Sequence, residues 1–163
     1  MAYAVTHVLA TIFILDLFRH YYFGKKKFPR YLLVFGGIAG LLPDIDVPIS
    51  WIFHALGRAG PIHGIFIESF FFPLLFLITA LVLHLSKKQN IAIYFYLLAF
   101  GWALHLGIDW IWGEYKGYFW PLYTPESILP RWNIWKYSQS IDAVILVLWL
   151  VHEELHNKIK DYF

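Results

Sequence analysis

His7, Asp44, Asp46, His63, His105 and Asp109 supply three imidazoles and three carboxylates in a chain whose remaining stretches are apolar enough to lie in hydrocarbon. Ionisable groups at membrane depth cost several kcal/mol each, so a set that recurs from one hydrophobic segment to the next marks a functional site. Without a cation these groups would repel one another or go unpaired, and nitrogen and oxygen donors in this ratio suit zinc, manganese or iron. The chain has no cysteine, which excludes disulfides and thiolate ligands. His105 and Asp109 are four apart in a helical segment, so they share a face with Cβ atoms roughly 5–6 Å apart and can clasp one ion or bridge two. Each element alone has an ordinary reading: His105 as a core histidine bonded to Asp109, and Asp44 and Asp46 as turn carboxylates after Pro43. Taken together with His7 and His63, they point to a metal site.

The elements that must position these groups read as membrane segments. The chain has 163 residues and is 60% hydrophobic and only 15% charged, against about 45–50% and about 25% for soluble domains. Residues 64–86 carry one carboxylate, Glu68, and residues 89–108 carry no acid, Lys or Arg; each exceeds or meets the ~20 residues a spanning helix needs. The first fifteen residues are apolar apart from His7 and lack the basic leader and cleavage site of a signal peptide, so they are expected to be a retained helix. The formal charge of +2 is too small to suggest a nucleic-acid surface. The fold class expected is therefore an all-α integral membrane bundle, a single domain over 1–163, with five hydrophobic segments at roughly 2–22, 31–46, 62–86, 90–113 and 139–157. The second is short, because Tyr31 to Pro43 offers about 20 Å of helix against a core of about 30 Å. Pro43 should force irregular backbone on Asp44 and Asp46, tolerated at depth only inside protein or a wet cavity. Residues 47–60 suit an interfacial loop or half-helix, and residues 114–138, rich in Trp, Tyr and Pro, a second interfacial excursion.

Charge bias then orders the ends. Placing the 25–30 turn, the 86–90 turn and the C-terminus in the cytoplasm puts Arg19, Lys25, Lys26, Lys27, Arg30, Lys87, Lys88, Lys158 and Lys160 inside, leaving Arg58, Lys116, Arg131 and Lys136 outside. His7, Asp44, Asp46, His63, His105 and Asp109 all fall at the outer end of the bundle in that arrangement. Residues separated by a hundred positions converge on one level of a multi-pass protein of the cell (plasma or inner) membrane.

The order of these motifs resembles that of the YdjM-like membrane-bound metal-dependent hydrolase family. The matching residues are His7, Leu42 to Asp46, Arg58 to Gly64, and His105 to Asp109, so the resemblance covers nearly the whole chain. That family is in turn distantly similar to the zinc-dependent phospholipase C and single-strand nuclease superfamily, which implies a zinc cluster held by His and Asp and hydrolysis of phosphate esters. This chain departs from the pattern at Gly57-Arg58-Ala59-Gly60-Pro61-Ile62-His63-Gly64, where the family usually has His-Arg-Gly-x-Thr-His-Ser. The hydroxyl after the histidine is lost, and Arg and Gly are separated.

A rival motif, His152-Glu153-Glu154-Leu155-His156, matches the zinc-protease pattern His-Glu-x-x-His. It falls at the cytoplasmic end with seven residues after it to supply a third ligand, and reads as a solvated helix end complementing the C-terminal dipole. Asp142 reads as a first-turn carboxylate nearer the site, Glu68 as a partner orienting His63, and Asp16 and His20 as partners of Arg19 or of backbone groups. The expected activity is hydrolysis of a phosphate ester on a membrane lipid or lipid-linked substrate at the outer face. One or more divalent metals, zinc by resemblance, would be held by His7, Asp44, Asp46, His63, His105 and Asp109, with Asp44 or Asp46 as ligand or general base and Arg58 on the phosphate. The alternatives are an ion or proton transporter, which a cluster at one end disfavours, and a non-catalytic metal-binding scaffold.

Overall fold

The computed structural model describes residues 4–58, 67–112, 117–119 and 137–157, and the elements among them are all helical. Helix α1 (Ala4–Phe18) continues into a π-helical turn, Arg19–Phe23. After the basic turn come α2 (Arg30–Ala39), a 3-10 turn (Leu42–Ile45) and α3 (Asp46–Ala55). Helices α4 (Phe71–Leu85), α5 (Gln89–Trp112) and α6 (Ser138–Asn157) complete the described chain. Helix α5 packs on α4 and α2, whereas α1 packs on α2 and α6. Leu15, Phe28, Leu32, Leu33 and Leu97 fill the space between α1, α2 and α5. Trp102, Leu106 and Tyr118 form a second core against Phe72, Phe76 and Trp110. Helix α3 leaves the bundle, with every residue from Trp51 to Arg58 exposed; of the interfacial loop or half-helix expected for 47–60, the described part is helical as far as Ala55.

Two glycines let the site-bearing helices approach. A Cβ on Gly40 would lie 2.4 Å from Thr11 Oγ1 and 3.2 Å from the His7 carbonyl, so this position brings the end of α2 against α1 at His7. A Cβ on Gly101 would meet backbone, 2.7 Å from Gly40 N and 2.8 Å from Ala39 C. Gly101 is one helical turn from His105, and its contact therefore sets the level of α5 against the end of α2. Small residues of this kind are how helices in lipid gain close packing in the absence of a hydrophobic driving force.

The expectation of five spans is not met. Among the described residues one helix, α5, is long and apolar enough to cross a bilayer, and the pair formed by α2 with residues 42–55 makes a second only if its 53° bend is counted within one span. The shortfall has physical causes. Helix α4 is only 15 residues long because residues 67–70 turn rather than extend it. Helix α1 has 15 residues before the π turn, about 22 Å at 1.5 Å per residue. Asp142, Glu153 and Glu154 interrupt the apolar run of α6. Among the described residues, the architecture is all-helical with fewer full-length apolar helices than the sequence has hydrophobic segments.

Candidate metal site

Helix α2 ends at Gly40, and this ending makes the site. In a continuing α-helix the amides of residues 43 and 44 would bond the carbonyls of residues 39 and 40. Pro43 has no N–H, and the Asp44 amide instead donates to the Leu41 carbonyl at 3.1 Å. The Gly40 carbonyl is thereby available, and His105 Nδ1 donates to it at 2.8 Å. A carbonyl oxygen can only accept, so this bond fixes the proton on Nδ1 whenever the ring is neutral and leaves the Nε2 lone pair facing the acids. Metal-bound histidines are usually oriented by such a bond.

Three carboxylate contacts meet at that lone pair and its neighbour. His105 Nε2 lies 3.2 Å from Asp109 Oδ2 and 3.4 Å from Asp44 Oδ1. The other oxygen of Asp109 lies 3.3 Å from His7 Nε2, so one carboxylate spans both imidazoles. The two rings stack with centroids 3.8 Å apart and planes 22° from parallel. His7, His105 and Asp109 are fully buried, while the Asp44 carboxyl is 14% exposed. Tetrahedral zinc bound at 2.0–2.1 Å separates its ligand atoms by about 3.3 Å, and the donor spacings here match that edge. Two carboxylates with neutral imidazoles carry a charge that one divalent cation balances, whereas two stacked imidazoliums would repel. The donor set therefore fits a zinc-class ion held by His7, His105 and Asp109, with Asp44 beside it.

The other expected residues fall as follows. Asp46 is buried as the first residue of α3, outside the group of three donors within 4.8 Å. Arg58 is exposed beyond the far end of α3, a helix about 15 Å long, and so is separated from the cluster. His63 lies outside the described residues, and with it the pairing expected for Glu68, which is itself fully buried. Asp142 occupies the second turn of α6 rather than the first and accepts a hydrogen bond from the Thr6 hydroxyl, tying α6 to α1 next to His7.

At the opposite end one expectation is overturned. His152 and Glu153 are buried rather than solvated. His152 faces Asp16 because α6 packs this face onto α1, and Glu153 lies 4.0 Å from Arg30 at the start of α2. Asp16 pairs with Arg19, and His20 Nδ1 donates to the Asp16 carbonyl at 3.0 Å, as the sequence suggests. Two features escaped the sequence reading: the Gly40 carbonyl under His105 and the approach of His152 to Asp16. The second has a legible signal, since Asp16 and His20 stand at the same four-residue spacing as His105 and Asp109.

Compared with known proteins, residues 1–159 match the family model described as YdjM inner membrane protein. No curated protein and no solved structure matches the chain.

Proposed function

The chain belongs to the YdjM inner membrane protein family, and from that premise we propose that it is a metal-dependent hydrolase acting on a phosphate ester of a lipid or lipid-linked substrate. The observation that carries this reading is the Asp109 carboxylate shared between His7 and an His105 whose Nε2 is aimed by the Gly40 carbonyl. His7, His105 and Asp109 would hold the ion, with His63 the further ligand expected from the sequence. The chemistry such an ion supplies when bound is to acidify water towards pKa 7 and to offset charge on the phosphoryl oxygens. Asp44 is the general base in this reading, because its carboxyl retains access to solvent while that of Asp109 is 2% exposed. The buried walls keep competing water from the reacting phosphorus, and Arg58 reaches the more distal part of an anionic headgroup. The protein is multi-pass, with this site towards the outer face, where Trp and Tyr of the interfacial segments accompany headgroups.

The test is a screen of phospholipids and polyprenyl phosphates with the purified protein and added zinc, manganese or iron. Asp44→Asn and Asp109→Asn should each lower turnover at least 100-fold while leaving the protein folded. Metal binding without turnover, accompanied by ion or proton flux in liposomes, would overturn hydrolysis in favour of transport; with no flux either, a scaffold remains.

A further inference from the structure

Asp16 is fully buried in the last turn of α1, and groups from two elements converge on its carboxylate. Arg19 Nη1 is 3.2 Å and His20 Nδ1 3.4 Å from Oδ1, while His152 Nδ1, arriving on α6, is 3.0 Å from Oδ2. The rings of His20 and His152 meet edge to face with centroids 4.9 Å apart. One donor atom from each of Asp16, His20 and His152 lies within 4.8 Å of the other two. Arg19 is pinned as well, its Nε donating to the Phe28 carbonyl at 2.9 Å. The guanidinium thus holds Oδ1 and leaves Oδ2 facing His152, the kind of outer contact that orients a ligating carboxylate. The chain changes from α to π geometry at Arg19, one residue before His20; such distortions are frequent at functional sites.

We propose that Asp16, His20 and His152 form a second metal site, of zinc class, that clasps α6 onto α1. The 3.0 Å between His152 Nδ1 and Asp16 Oδ2 is close to the tetrahedral edge of about 3.3 Å, and His20, whose Nδ1 proton goes to the Asp16 carbonyl, would offer Nε2. Asp16 is nine residues from His7 along α1, about 14 Å of helix, so one ion cannot serve both clusters. The site shares no residue with the proposed hydrolytic centre and does not depend on it. Because Arg19 competes for the carboxylate, the second site is the weaker of the two and fills after the first.

The experiment is a cobalt titration of the full chain in detergent after chelator treatment, read as metal content and as visible absorption. His20→Ala and His152→Ala should each bind one equivalent fewer than wild type at saturation, and His105→Ala should retain the equivalent that they lose. Folded His152→Ala of wild-type stoichiometry would overturn the proposal and leave the cluster as an ion-pair network. If His152→Ala does not fold, His105→Ala decides alone: one cobalt with nitrogen-ligand absorption supports the site, and no bound cobalt overturns it.

Discussion

At the scale of single residues, the His7–His105–Asp109 cluster depends on a carbonyl that no motif encodes. Pro43 withholds an amide, the helix stops, and Gly40 offers its oxygen to His105. Pro43→Ala restores the N–H and allows α2 to continue, which should draw the carbonyl away from His105. The expected loss is about 10–100-fold in metal affinity, the usual cost of removing such an orienting partner, measured by competition with a chromogenic chelator. Arg58→Ala separates binding from chemistry: with Arg58 at the far end of α3, KM should rise while kcat holds. A fall in kcat at constant KM would place Arg58 at the reacting phosphate instead. The candidate residues were legible because acids and histidines stand out in an apolar sequence. His7, Asp44, His105 and Asp109 do converge, and the Leu-Pro-Asp-x-Asp and His-x-x-x-Asp spacings were sufficient to find three of those four.

The elements were less legible, for a reason that lies in their ends. Hydropathy detects apolar length but not where a helix stops, and α2 and α4 are both shorter than the apolar runs that contain them. Nor does it reveal which face of α6 turns inward, so the burial of His152 and Glu153 depended on packing that composition does not encode. Close approach between helices is testable directly. Gly101→Ala places a methyl against the backbone of residues 39 and 40, which cannot rotate away, and should destabilise by roughly 1–3 kcal/mol as overpacking does. Gly107→Ala on the same helix meets nothing within 4 Å and should be neutral, or stabilising by up to about 1 kcal/mol through helix propensity. Thermal unfolding of the two variants in one detergent distinguishes them, and equal stability would remove the packing argument.

For the whole molecule, the distribution of basic residues makes a statement about orientation. The absence of native cysteine allows each loop to carry a single label. A cysteine replacing Lys26 or Lys88 should react only with reagents that reach the cytoplasm, and one replacing the exposed Leu56 at the end of α3 only from the opposite side. The reverse pattern would keep the cluster at one end of the bundle but turn it towards the cytoplasm. Among the described elements α6 packs chiefly on α1, and its ties there are Thr6 with Asp142 at one end and Asp16 with His152 at the other.

The levels of His7 and His105 along their helices carry a consequence for the bilayer itself. His105 is sixteen residues into α5 and His7 twelve residues from Arg19, about 18–24 Å along the helices; with the basic turns at the cytoplasmic boundary, as proposed, the cluster would lie some 6–12 Å short of the far edge of a core about 30 Å thick. A phosphate at its resting depth does not reach that level unless the leaflet dimples or the lipid sinks. Bilayer thickness then acts as a throttle: turnover should rise in vesicles of shorter acyl chain and fall in thicker ones at constant headgroup, since short helices thin the membrane around them. Turnover indifferent to chain length would put the ion level with the headgroups.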